Sequence, residues 1–413
     1  MNATIITIGD ELLIGQVVNT NSSFIAGRLN TIGIDVIRMI TVGDDMDEIL
    51  RAFNESLGGS EIVIVTGGLG PTHDDITKKA VCSFFATEAV FSEEVRDHIR
   101  ELLRSRNMPW TPHADEQSMV PRGSAVIPNR YGTAAGILIE RGRKRFIVLP
   151  GVPYEMESMM NESVIPLLAS TMTGRTILHR TIRTTGISET MLSGRLGDLP
   201  AILGGDTLAF LPSPRGVRLR ITVRGDDPAR CARRIREIES YLQEKAGEYI
   251  YGTEEEDLEV VVGRLLTERR LTLAVAESCT GGLVANRLTD VPGSSAYFER
   301  GVITYSDESK RALLGVPDDL LRTQGAVSEE VARAMAAGIR RAAGTGIGLS
   351  TTGVAGPGGG SPAKPVGLIW IGYADAGGTS GTRCNFSGTR HLIKERASQA
   401  ALELLRKKIL AGG

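Results

Sequence analysis

What the chain has little of narrows it first. Its four cysteines, Cys82, Cys231, Cys279 and Cys384, lie far apart with no C-x-x-C pair. That spacing excludes a zinc ribbon or a disulfide framework and suits a reducing compartment. Aromatic residues make up only 5% of the chain and the net charge is −2. Neither supplies the basic, aromatic-studded footprint that nucleic-acid binding leaves, so a nucleic-acid partner is not expected. No stretch approaches the roughly 18 continuous apolar residues of a membrane span. The opening MNATIITIGDELL lacks the basic start and apolar run of a signal peptide. The expectation is a cytoplasmic protein with no membrane partner.

What is present fits a globular enzyme. Hydrophobic residues reach 41% and charged residues 23% over 413 residues, a length that implies two or three domains. Strand and helix patterns alternate at the start: TIITIG (4–9), NTNSSFIAGRLNTIG (19–33), VIRMITVG (36–43), MDEILRAFNESL (46–57) and EIVIVTG (61–67). This alternation predicts a doubly wound parallel sheet. A proline-rich, weakly periodic stretch follows (108–130), then GILIE, RFIVLPG and a helix from Pro153. The segment 175–250 changes rhythm to half-exposed strands such as VRLRITVRG and reads as a small α+β module. Eight arginines fall between Arg215 and Arg236 there; a solvated strand and helix face accounts for them better than a phosphate surface. After the acidic run GTEEEDLEVVV (252–262) a second α/β pattern begins. The expected boundaries are 1–168, 169–252 and 253–413. A homodimer is the default expectation for such an enzyme.

In open α/β sheets ligands bind beyond the carboxyl ends of the strands. Three strand ends in the first domain carry suggestive residues: Gly9-Asp10-Glu11, then TGGLGPTHDD, then PGVPYEM with Glu155. Gly67, Gly68 and Gly70 let backbone approach a pyrophosphate. Asp10 or Glu11 with Asp74 and Asp75 offers hard oxygen ligands for a divalent cation such as Mg²⁺. The competing reading is a tight turn whose aspartates only complement a helix dipole. Neither GxGxxG nor GxxxxGK[ST] occurs here.

In the last domain the strand LTLAVAE ends at Ser278-Cys279-Thr280-Gly281-Gly282. A serine at a helix start lies near N–H donors for an oxyanion, but a serine nucleophile needs a base. The domain holds a single histidine, His391, and no GxSxG elbow, so a Ser-His-Asp triad is not expected. Lys310, one turn into the helix after Tyr305, can replace histidine if burial lowers its pKa. Ser295 is a second possible nucleophile and Cys279 a rival thiol. The loop TGVAGPGGGSPAKPVG (352–367), with Gly353, Gly356 and Lys364, offers a second phosphate cradle. The alternative for each is plain: a cap, a surface lysine, a flexible connection.

Taken together the blocks GDELLIGQVVNTNSSFIAGRL, TVGDD, VTGGLGPTHDDIT, PNRYGTAAG and LPGVPYEM resemble the N-terminal half of the CinA proteins. That half is similar to molybdopterin-binding domains and is associated with metal-dependent cleavage of ADP-ribose to AMP and ribose 5-phosphate. The resemblance implies Asp10, Glu11, Asp74, Asp75 and Glu155 as metal ligands, with Gly67, Gly68, Gly70 and Thr72 at the phosphates. AESCTGGLVANRLTDVPGSSAYFERGVITYSDESK, GAVSEEVARAMA, TTGVAGPGGG and KPVG resemble the C-terminal CinA domain, which also exists alone as a nicotinamide mononucleotide deamidase. This implies a Ser/Lys amidohydrolase that needs no metal. By motif Ser278, Thr280, Ser295, Tyr305, Lys310, Thr352 and Arg390 form its functional set, with Lys310 as base, Tyr305 assisting proton transfer and Arg390 at the substrate phosphate. The middle segment is similar to the family's KH-like connecting module, although no GXXG clamp lies between two helices there. The implied whole is a bifunctional nucleotide hydrolase acting on nicotinamide mononucleotide and ADP-ribose. The alternatives keep one activity only, with the first domain a pterin- or nucleotide-binding or regulatory module, or make the chain a competence-linked nucleic-acid partner, for which the near-neutral charge is poor support.

Overall fold

The computed structural model describes residues 1–70, 75–170 and 176–411. The chain divides into two compact units: Met1–Leu178 with Val223–Arg233, and His179–Thr222 with Arg234–Gly413.

In the first unit strands β1 (Asn2–Ile8), β2 (Asp35–Val42) and β3 (Ile62–Thr66) are followed by a small hairpin-like pair, β4 (Ala89–Phe91) and β5 (Met119–Pro121), then β6 (Ala125–Ile127), β7 (Gly136–Arg141) and β8 (Lys144–Leu149). The main sheet runs β2-β1-β3-β8-β7-β6. Its first four strands are parallel, as the sequence predicts, but β7 and β6 join antiparallel. The helices Thr20–Thr31 and Met46–Gly59 carry the crossovers between the parallel strands β1, β2 and β3, whereas β7 turns directly into β8, which antiparallel pairing allows. Alternate residues of β1 and β3 serve opposite faces. Ala3, Ile5, Ile62 and Ile64 pack with Ile25 and Leu29 of the helix Thr20–Thr31. Ile6, Ile8, Val63 and Val65 pack with Ile49 and Phe53 of the helix Met46–Gly59. Each such side chain contributes about 1.5–3 kcal/mol on burial, which is why the central strands read as unbroken apolar runs. The stretch 108–130 is not irregular: it holds the helix Pro112–Gln117 besides β5 and β6.

The middle segment supplies β9 (Thr176–Thr184), β10 (Thr207–Ser213), β11 (Gly216–Gly225) and β12 (Ile250–Thr253), in the order β10-β11-β9-β12. Along β11 Arg218 and Arg220 are exposed while Val217, Leu219 and Ile221 are buried, the period-2 pattern of a half-solvated strand. The C-terminal sheet is built from β13 (Leu273–Glu277), β14 (Phe298–Ile303), β15 (Ile347–Gly353), β16 (Leu368–Asp375) and β17 (Gly378–Asn385), ordered β14-β13-β15-β16-β17. β14, β13 and β15 are parallel; β16 and β17 are antiparallel additions. In both main sheets the chain leaves the central strand to one side and returns on the other. The crevice beyond β1, and the one beyond β13, is therefore a topological switch point.

Candidate functional sites

At the first switch point the ends of β1, β3 and β8 are tied together. Thr66 Oγ donates to the Pro150 carbonyl at 2.7 Å and the Gly67 amide to the Leu149 carbonyl at 3.2 Å. Asn21 Nδ2 donates to the Gly151 carbonyl at 2.8 Å and to Thr66 Oγ at 3.2 Å. Gly67 and Gly68 have φ of 112° and 64°, and an added Cβ would lie 2.1 Å from the Ile8 carbonyl oxygen and 2.2 Å from Thr77 Oγ. The glycines are thus demanded by the packing of the turn itself, before any ligand is considered. Two hollows flank the turn. One, of about 100 Å³, is lined by Glu11, Asn19, Asn21, Thr66, Gly67 and Gly151. The other, of about 690 Å³, is lined by Gly68, Gly70, Asp75, Lys78, Gln117 and Met119 among others.

The expected metal ligands are not drawn into one cluster. Asp10 and Asp44 clasp each other: the Asp10 amide donates to Asp44 Oδ2 at 3.0 Å, and the Asp44 amide to Asp10 Oδ1 at 3.2 Å. Glu155 is buried and accepts from Asn129 Nδ2 at 2.7 Å, while Asn129 Oδ1 accepts from the Tyr131 and Gly132 amides. Glu155 therefore braces the loop 129–134. Glu11 and Asp75 remain on the walls of the two hollows. Thr72 and Asp74 lie outside the described residues. Among the described residues no group of three or more His, Cys, Asp or Glu side chains could hold a metal ion. Glu11 and Asp75 do not make an all-protein cage; as hard oxygen donors they would suit a cation of the magnesium type only where a bound ligand and water completed its shell.

At the second switch point Lys310 Nζ lies 3.3 Å from Ser278 Oγ. Lys310 is 1% exposed and projects from the helix Asp307–Leu314, whose Ser306 cap accepts from the Ser309 amide. Its ammonium donates to the carbonyls of Thr304 at 2.9 Å and Tyr305 at 3.2 Å. Burial lowers its pKa below the ordinary lysine value, against an opposing pull from Asp307 and Cys279. Cys279 faces the other way chemically: it is buried in the core, and burial pushes its thiol up to about 12. A thiol in that state is a poor nucleophile, which leaves Ser278 as the group beside the base.

The strand ends around this pair are again laced. The Ser278 amide donates to the Thr351 carbonyl at 3.0 Å and the Thr304 amide to the Glu277 carbonyl at 2.7 Å. Thr280 Oγ and Thr351 Oγ share a hydrogen bond of 2.6 Å, and Thr352 Oγ donates to the Ala326 carbonyl at 2.7 Å. These threonines position the loop; their hydroxyls are already engaged. Arg390 spans the site mouth, donating to the Gly356 carbonyl at 2.7 Å and to Tyr305 Oη at 2.9 Å. Gly353 is part of the sheet, paired with Ile369. Lys364 Nζ donates to the Gln324 carbonyl at 2.5 Å, so it braces its own loop. Ser295 is not gathered in. It sits on the short turn Ser294–Ala296 before β14, while Ser278 follows the end of β13. The parallel register pairs Leu273 with Phe298, so the two serines lie at opposite ends of a strand, on the order of 15 Å apart.

Comparison with known proteins matches three segments of the chain. Residues 4–170 match the model of a probable molybdopterin binding domain, 179–252 that of the damage-inducible protein CinA KH domain, and 255–409 that of the CinA C-terminal domain. A CinA-like protein of Chloroherpeton thalassium is 46% identical over 422 residues, covering all of both chains. A CinA-like protein of Salinibacter ruber is 43% identical over 99% of this chain and 100% of its own. The chain belongs to the CinA family. Among solved structures, the competence/damage inducible protein CihA of Agrobacterium tumefaciens is 39% identical over 36% of this chain and 91% of its own, with a TM-score of 0.35.

Two site residues of this CinA-family chain escape a sequence reading. Glu277 is 1% exposed and its carboxylate accepts from the amides of Gly282 at 2.9 Å, Val284 at 3.1 Å and Ala285 at 2.7 Å. It occupies the helix-start donors that the sequence assigns to an oxyanion. Lys394, one turn after Arg390 on the helix Arg390–Ala411, brings Nζ within 3.4 Å of a Cβ built on Gly281 and has no hydrogen bond or ion pair among the described residues. The i, i+4 spacing from Arg390 was its only sequence signal.

Proposed function

We propose that the Ser278–Lys310 site is an amidohydrolase acting on the carboxamide of nicotinamide mononucleotide, and that the first switch point hydrolyses the phosphoanhydride of ADP-ribose. The observation that carries the first assignment is a wholly buried lysine amine in reach of a serine hydroxyl at a strand end. Neutral Lys310 takes the Ser278 proton as Oγ attacks the amide carbon, giving a tetrahedral adduct. The proton then passes to the amide nitrogen, the C–N bond breaks and ammonia leaves. Water, deprotonated by Lys310, cleaves the resulting ester to nicotinate mononucleotide and restores Ser278. Tyr305, held by Arg390, orients the substrate at the mouth, and Arg390 with Lys394 supplies positive charge for its phosphate. The molybdopterin-binding family model over residues 4–170 and the glycine turn at the switch point support a phosphate-bearing ligand in the first unit. A cation bound with the phosphates there would neutralise charge on the departing group, and Glu11 or Asp75, on the hollows either side of the turn, would supply its carboxylate.

Lys310→Ala is expected to lower kcat for ammonia release from nicotinamide mononucleotide by about 10³-fold or more, read in a coupled ammonia assay. Near-normal turnover in that variant would rule out the Ser/Lys mechanism.

A further inference from the structure

Glu277 ends β13 and directly precedes Ser278. It is 1% exposed, and its carboxylate has no place in the proton transfers between Ser278 and Lys310. Its main chain is held on both sides, paired with Ile303 of β14 and with Thr351 of β15. The Glu277 carbonyl accepts from the Thr304 amide at 2.7 Å, and the Thr304 carbonyl in turn accepts from Lys310 Nζ at 2.9 Å. One tie therefore runs from Glu277 to the base. The side chain makes the other. Oε2 accepts from the amides of Gly282 at 2.9 Å and Val284 at 3.1 Å, and Oε1 from that of Ala285 at 2.7 Å. These bonds reach across residues 278–282, where Gly281 and Gly282 turn the chain through left-handed backbone at φ of 62° and 95°. Glycines alone would leave such a turn many conformations. Bonds from amides to a carboxylate are the stronger kind. The residue before the nucleophile thus grips the chain after it and closes the turn on which Ser278 stands.

We propose that Glu277 is a positioning residue for the deamidase reaction. It braces the turn 278–282 against the strand end that holds Lys310, and so sets the 3.3 Å separation of Ser278 Oγ and Lys310 Nζ. The inference rests on the reading of Ser278 as nucleophile and Lys310 as base. A misplacement of reacting groups by about 1 Å costs on the order of 10²-fold in rate. A carboxylate that only capped the helix Leu283–Thr289 would instead leave turnover of the folded enzyme unchanged.

The test is Glu277→Gln in the full chain, with folding followed by circular dichroism. The amide keeps the size of the carboxylate but offers one oxygen, and its NH₂ group meets amide N–H groups that it cannot accept from. Per folded molecule, kcat for ammonia release from nicotinamide mononucleotide is expected to fall about 10²-fold with KM unchanged. The rise of kcat/KM with pH should stay where it is in the wild type, because the charges pulling on Lys310 are those of Asp307 and Cys279. Sulfonylation of Ser278 by phenylmethanesulfonyl fluoride, read by mass spectrometry, should slow with kcat. If the Gln variant does not fold, Glu277→Asp, which keeps the charge but is too short to reach all three amides, carries the same comparison. Wild-type kcat and labelling rate in the folded variant, a loss confined to KM, or a displaced pH rise would overturn the assignment. The broader reading fails separately: a wild-type chain labelled at Ser278 that leaves nicotinamide mononucleotide intact is no deamidase, yet its labelling ratio still decides the role of Glu277. A wild-type chain that neither is labelled at Ser278 nor releases ammonia removes the nucleophile and the inference with it.

Discussion

Lys310 and Cys279 are close neighbours whose chemistry is set in opposite directions by the same cause. Burial disfavours the charged form of each, so the lysine is pushed toward its neutral, basic state and the cysteine toward its neutral, unreactive one. The sequence named Lys310 as the base and left Cys279 as a rival nucleophile to Ser278, because burial depends on strands distant in sequence. The pH dependence follows with a definite sign. Ammonia release needs neutral Lys310, so kcat/KM should rise with pH through an ionisation below the ordinary lysine value of 10.5. Lys310→Arg, which stays protonated, should be inactive across the whole profile. A rate that falls as pH rises through that range would contradict the assignment of Lys310 as base. Ser295, equally visible in the sequence, falls away for a purely topological reason: it starts a strand that Ser278's own strand runs parallel to.

Elements were the most legible level. The strands and helices flanking both sites follow from period-2 and period-3.6 apolar patterns, and Asn19, Ser306 and Ser328 cap their helices through side-chain oxygens. The strands β4 and β5 were not legible, being three residues each; the helix Glu93–Ser105 went unread although the Ser92 cap and the buried Val95 and Ile99, four residues apart, announce it. Hidden too was how helices lock together. Arg287 on the helix Leu283–Thr289 is 2% exposed and bonds Glu259 through Nε at 3.2 Å and Nη2 at 2.6 Å, with Ser398 and Gln399 completing its shell. For Glu259 burial alone would raise the pKa, yet the hydrogen bond and charge of Arg287 take it below the ordinary value. Its contribution to stability is therefore present near neutrality and lost as pH falls through that lowered value. Arg287→Ala leaves the buried carboxylate with only the more distant Arg215, 3.6 Å away, and should cost about 3 kcal/mol. Urea denaturation at pH 7 checks this; a loss under 1 kcal/mol would show that water or another cation replaces the guanidinium.

At the scale of the molecule, three segments match three family models, whereas packing yields two compact units. The reason lies in long-range polar contacts that no local pattern announces. Thr185 of the middle segment accepts from Gln399 at 3.1 Å, and Arg183 pairs with Glu255 at 2.9 Å, both inside the second unit. The two units nonetheless repeat one device, a glycine-rich turn at a switch point, with different neighbours. Beside Gly67–Gly70 stand carboxylates and an open cavity; beside Ser278 stand a buried base and two cations. This division is what the account claims above all. The direct measurement is a paired assay of the full chain, following ammonia from nicotinamide mononucleotide and AMP from ADP-ribose, with and without EDTA. The expected result is that EDTA abolishes AMP release and leaves ammonia release intact, while Lys310→Ala does the reverse. Loss of both reactions under either treatment would contradict two independent sites.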